Sequence, residues 1–228
     1  MFGQRTGEYF VDIVMCIDAT GSMAPIIERV KESALSFYCK FVDSMEESDK
    51  EVEQLRIKVI AFRDYGCDDE PMTESEFFTL PSQNEQFKSF VNGIEARGGG
   101  DGPENALEAI AKAIRSEWTT DGNKRRHVVL IFTDAPALSL GERSACSGYP
   151  TDMPKDLAEL GAWWEGTDSS FVGTYQAKAG RMVAFVPEAE SWTKLSAWNR
   201  YWPSYSQAGV GLCDVDVQSA IDLTVQSF

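Results

Sequence analysis

The chain has one histidine in 228 residues. That rules out a metal site built on two or more imidazoles, and neither an H-E-x-x-H pattern nor a plausible Cys–His couple occurs. Cysteine is sparse as well: five residues, an odd number, none in C-x-x-C spacing. Disulfide frameworks, zinc ribbons and dithiol redox motifs are therefore excluded. Positive charge is short, with 21 Lys+Arg against 36 Asp+Glu and a net charge of −15. So acidic a surface repels phosphate backbones and anionic lipid, which argues against nucleic acid and membrane partners and suits cations or basic protein surfaces. Long apolar runs are missing too. The stretch Tyr9 to Ile17 is broken by Asp12 and falls far below the ~20 residues of a membrane span. No basic segment precedes it and no small-residue cleavage site follows, so the expectation is a chain without a signal peptide, in the reduced cytoplasm. The P-loop and G-x-S-x-G patterns are absent. Repeats and low-complexity linkers are absent as well.

What is present is an alternation of two periods. Val11 to Ile17 (VDIVMCI), Arg56 to Phe62 (RIKVIAF), His127 to Phe132 (HVVLIF) and Met182 to Val186 are near-continuous apolar runs rich in β-branched residues. They read as buried strands, and Phe77 to Leu80 as a short edge strand. Between them, Ile27, Val30, Ala34, Phe37, Phe41 and Met45 recur at helical spacing. So do Phe87, Val91 and Ile94, and again Leu107, Ile110, Ile114 and Trp118. The acidic stretch 46–53 reads as a solvated loop. A further helix is expected within Met153 to Trp164 and a closing helix from Val215. Strands separated by helices give an α/β fold, doubly wound, with a mostly parallel central sheet and helices on both faces. Residues 1–228 read as one domain with an irregular insertion at 137–178. In such sheets the binding rim lies at the carboxyl ends of the strands.

Three segments bring oxygen to that rim. Asp18, Thr20 and Ser22 follow the first strand, and in an extended chain their side chains point one way. Asp101 and Glu104 lie in the glycine-rich loop 98–104, and Asp134 follows the third long strand. Carboxylates and hydroxyls without nitrogen or sulfur suit a hard divalent cation, Mg²⁺ first, with Mn²⁺ or Ca²⁺ as alternatives. Each residue also has a plain structural role open to it. Asp18 and Ser22 are good helix caps, Asp134 a turn opener before Pro136, and Glu104 a favoured first-turn residue. Asp64, at the end of the second strand, is either a salt-bridge partner or turn cap, or a carboxylate that orients metal-bound waters or hydroxyl ligands. The aromatics Trp163, Trp164, Trp192, Trp198, Tyr201, Trp202 and Tyr205 belong either to the core or, in part, to a binding patch.

The D-x-T-G-S run at 18–22 resembles the metal-ion-dependent adhesion site of von Willebrand factor type A domains, whose usual form is D-x-S-x-S. The resemblance extends through Ile60 to Tyr65 (IAFRDY), Gly98 to Glu104 and Phe132 to Pro136 (FTDAP), covers roughly residues 8–137, and is nearest to A domains attached to alpha-kinases and to bacterial stand-alone relatives. It implies a non-catalytic module that binds a protein partner, whose carboxylate completes the coordination of the cation. By association it also implies stress or defence signalling. One departure stands out. Many A domains supply a threonine from the second loop; this chain has G-G-G-D-G-P-E, similar to the acidic version in the A domains of integrin β chains. By that likeness Glu104 is the second-loop ligand, with Asp101 nearby or at a second cation; the alternative is Asp101 as ligand and Glu104 as a cap. A metal-assisted hydrolase or phosphoryl-transfer enzyme on the same acidic rim is the rival reading.

Overall fold

The computed structural model describes residues 8–100, 102–206, 217–226 and 228. In chain order the elements are β1 (Tyr9–Asp18), α1 (Ile27–Glu47), β2 (Val52–Phe62), β3 (Met72–Glu74), β4 (Phe78–Leu80), α2 (Asn84–Asn92), α3 (Ala106–Ile114), β5 (Lys124–Phe132), α4 (Leu157–Glu165), β6 (Gly180–Pro187), α5 (Glu190–Thr193), β7 (Tyr201–Ser206) and α6 (Val217–Gln226). They build a seven-stranded sheet in the order β3-β2-β1-β5-β6-β7, with β4 also paired to β2. β1, β2, β5, β6 and β7 are parallel, and only the short β3 and β4 run antiparallel.

β1 is buried on both faces because its side chains alternate between two apolar cores. Val11, Ile13, Met15 and Ile17 face the core under α1, α2 and α6; Val14 and Cys16 face the core under α3 and α4. The expected α/β architecture, with helices on both faces, is what the chain adopts. Successive crossovers leave β1 in opposite directions, so the order of strands switches beside it. In open α/β sheets a binding site forms outside the strand ends at such a switch, here beside the ends of β1 and β5.

Several expectations need adjustment. The helical face ends at Ile114: Trp118 lies beyond α3, where its indole N–H donates to the Ile114 carbonyl (3.1 Å) and its ring fills the core. β2 starts at Val52, inside the stretch read as a solvated loop. β3 and β7 had no sequence signal strong enough to find them. Of the closing helix, the described part is α6, and residues 215–216 lie outside the described residues. The aromatic segment forms no exposed patch among the described residues. Trp163, Trp164, Trp192 and Tyr201 are buried, Trp198 and Trp202 half-buried, and Tyr205 is 38% exposed.

Candidate metal centre

The parallel register places the rim residues. Asp18 is level with Phe62 of β2, and Ile17 with Phe132 of β5, so the next residue, Thr133, arrives beside Asp18. Asp18 is fully buried. Its Oδ2 accepts from the Thr133 hydroxyl (2.5 Å), and its Oδ1 from the Thr20 hydroxyl (2.6 Å) and the Thr20 N–H (2.9 Å). The Ser22 hydroxyl donates to Asp134 Oδ1 (2.9 Å), and Thr20 Oγ1 and Ser22 Oγ lie 3.1 Å apart. The chain is extended at Thr20 but turns into a 3₁₀ segment at Gly21–Met23. The three side chains therefore meet through a tight turn rather than along a straight strand. None of the plain roles accounts for them: no side chain caps α1 or α3, and Thr133, not Asp134, shapes the turn by accepting from the Ala135 N–H.

Hydroxyl protons can be counted. A threonine or serine hydroxyl has one proton and two lone pairs. Thr20 gives its proton to Asp18, and Ser22 gives its own to the Asp134 carboxylate, the stronger of its two acceptors. With both protons so placed, Thr20 Oγ1 and Ser22 Oγ, 3.1 Å apart, each keep lone pairs available to a further partner.

Glu104 closes the site from the second loop. It is 2% exposed, and its Oε2 has no hydrogen-bond partner among the described residues. A Cβ placed on Gly99 would stand 2.8 Å from Thr20 Cβ and 2.9 Å from Glu104 Oε1, so only glycine lets the loop pass between those two side chains. Gly99 also has φ +77°, a conformation glycine adopts at little cost. Burial, and then the charges of Asp18, Asp64, Asp68 and Asp134, push the Glu104 carboxyl up to about 8. Burial likewise raises Asp18 to about 6, against the hydrogen bonds from Thr133 and Thr20 that hold it down. An orphaned carboxylate oxygen among carboxylates that repel one another is an environment a divalent cation relieves. Among the described residues no three His, Cys, Asp or Glu side chains form a cluster by themselves; the donor set depends on hydroxyls. Asp101 lies outside the described residues.

Asp64 joins the same rim. A Cβ on Gly100 would be 3.4 Å from its Oδ2, one residue along from the glycine that touches Glu104. Its partner is Arg143, whose Nε and Nη2 donate to Oδ1 and Oδ2 at 2.8 and 2.9 Å. Burial acts against its charge, but this fork and the Gly66 N–H hold its carboxyl below the usual range. Sequence reasoning placed Thr133 on the rim within the Phe132–Pro136 motif without giving it a contact and missed Arg143 altogether; the β1–β5 register brings in the first and the course of the insertion the second.

The sequence matches the von Willebrand factor A domain family over residues 12–144, more than half its length. The chain belongs to that family, whose domains commonly serve as protein-interaction and adhesion modules. Among curated proteins it is 26% identical over 153 residues to the alpha-protein kinase vwkA of Dictyostelium discoideum, covering 64% of this chain and 22% of the kinase. It is 31% identical over 126 residues to a putative ariadne-like RING finger protein of Acanthamoeba polyphaga mimivirus, covering 55% of this chain and 11% of that protein. The chain thus spans less than a quarter of either relative. Among solved structures it resembles the pilus adhesin SpaC from Lactobacillus rhamnosus GG (TM-score 0.55, 11% identity, 98% of this chain and 30% of that one). A von Willebrand factor type A protein from Catenulispora acidiphila is similar at TM-score 0.55 and 13% identity, over 94% and 42% of the two chains. No described helix is long and apolar enough to cross a membrane.

Proposed function

We propose that this domain is a non-catalytic interaction module that captures a protein partner through a bound divalent cation. The observation that carries this is the 3.1 Å approach of the Thr20 and Ser22 hydroxyl oxygens, each with a carboxylate in reach to take its proton. Adjacent ligands of an octahedral ion with bonds of ~2.1 Å stand about 3.0 Å apart, whereas bonds of ~2.4 Å, as for Ca²⁺, spread them to about 3.4 Å. The spacing suits Mg²⁺ or Mn²⁺. Thr20 and Ser22 ligate through their hydroxyls and Glu104 through Oε2. Asp18 has all three of its described acceptor contacts filled by Thr133 and Thr20, so it orients the hydroxyls and reaches the ion through water, as does Asp134. A carboxylate from the partner completes the coordination. Three acidic groups on one divalent ion leave the site net negative. Cation binding gains by that, and docking of an anionic partner group is weaker than at a threonine-type site.

The cations beside the rim are engaged elsewhere, which favours binding over phosphoryl transfer. The Arg63 guanidinium donates to the carbonyls of Ala19, Glu70 and Glu95, Arg97 pairs with Glu70, and Arg143 with Asp64. The kinase in the name of the Dictyostelium relative supports a place in signalling, and the cytoplasm is the compartment we propose for it. A pull-down with Mg²⁺ and with chelator, using wild type and Asp18→Ala, tests the reading: capture should need both the cation and Asp18. Phosphatase turnover that vanishes in Asp18→Ala would overturn it.

A further inference from the structure

The start of the insertion is strapped to the rim. Glu104 N donates to the Pro136 carbonyl (3.0 Å), and Leu138 N to the Glu104 carbonyl (2.8 Å). Five residues on, Arg143 reaches back and forks both oxygens of Asp64, which is 1% exposed. The Arg143 side chain lies over Gly66, where a Cβ would come within 2.8 Å of its Nε. The Tyr149 hydroxyl donates to the buried Glu108 (2.9 Å), in the first turn of α3. Arg143 is the one of these contacts that carries charge into the site. Asp64 and Glu104 flank consecutive glycines, 100 and 99, whose α-carbons are ~3.8 Å apart. Whatever cancels the charge of Asp64 therefore acts at short range on anything Glu104 holds.

We propose that Arg143 is a positioning residue that sets the affinity of the rim for its cation. It occupies Asp64 and cancels its charge, so that the metal meets the Asp18, Glu104 and Asp134 carboxylates and not a fourth. This rests on the cation-site reading above and specifies which segment regulates that site. Two consequences follow. Removing Arg143 frees an anion beside the site and tightens cation binding. Removing the charge of Asp64 leaves Arg143 unpaired and weakens it. The two single changes shift affinity in opposite directions, whereas a merely architectural salt bridge would make both changes damaging.

The test is a Mn²⁺ titration followed by electron paramagnetic resonance, at low and at physiological salt. Arg143→Gln should tighten binding by ~3-fold or more at low salt and less at high salt. Asp64→Asn should weaken it by a similar factor. Arg143→Lys keeps the charge and should stay near wild type, and the double variant Arg143→Gln/Asp64→Asn should return to wild type. Shifts of the same sign in the two single variants, or none in either, would overturn the proposal. Asp18→Ala separates it from the reading beneath it: if wild type and Asp18→Ala bind Mn²⁺ alike, the site assignment fails. If only wild type binds and the Arg143 and Asp64 variants match it, the role of Arg143 fails alone.

Discussion

Thr20 gives its only proton to Asp18, which in the proposed site leaves its lone pairs to a cation. Thr20→Val keeps the shape and removes both functions, and should lower Mg²⁺ affinity tenfold or more, ~1.4 kcal/mol. Thr20→Ser should retain it, and calorimetry of the pair checks this. The single histidine does different work. His127 is buried, stacks on Trp118, accepts from the Gln176 N–H at Nδ1 and so donates from Nε2 to the Thr119 carbonyl. Burial holds it neutral, with its pKa lowered from 6.5 to about 4. The unfolded chain therefore binds a proton on His127 that the folded chain refuses between those values. Its contribution is complete above pH 6.5 and is lost as pH falls towards 4, by up to ~3 kcal/mol. Denaturation of wild type and His127→Gln at pH 7 and pH 4.5 should show a stability gap that narrows on acidification. A gap that widens instead would contradict this assignment.

At the scale of elements, the second loop couples the site to the fold. Glu104 precedes α3, and its backbone is held between Pro136 and Leu138. Glu104→Gln should weaken the cation site more than Asp101→Asn, and the reverse order would transfer the role to Asp101. Gly99→Ala, placing a Cβ against Thr20 and Glu104 at φ +77°, should weaken cation binding and cost ~1–3 kcal/mol of stability. Much of this was legible in the sequence. Asp18, Thr20, Ser22 and Asp134 follow strands that announce themselves as near-continuous apolar runs, and a parallel sheet brings such strand ends to one rim; Glu104 was legible from the glycine-rich loop that leads into α3. β3 and β7 were not legible because they are three and six residues long, and β7 contains Pro203 and mixes polar with aromatic residues. The Asp64–Arg143 pair was hidden for another reason: 79 residues separate its members, and no periodicity links a loop arginine to a strand-end carboxylate.

At the scale of the whole molecule, the insertion divides its labour. Its first part straps the acidic rim, while α4 sets Leu160 and Trp164 into the core beneath α3, both fully buried. A long irregular segment after a rim strand can pack beside the rim or add a helix to the sheet; this one does both, and it leaves Ser22 exposed. Replacing residues 140–175 by a flexible linker should therefore unfold the domain. The single change Leu160→Ala should already cost ~2–5 kcal/mol in denaturant unfolding.

The central claim is that the acidic rim holds a divalent cation through Asp18, Thr20, Ser22 and Glu104. Calorimetric titration of Mg²⁺ into wild type and Asp18→Ala, both first shown to be folded, addresses it most directly. The account predicts a saturable heat with one ion per chain in wild type and its loss in Asp18→Ala; equal heats from the two proteins, or none from wild type, would contradict it.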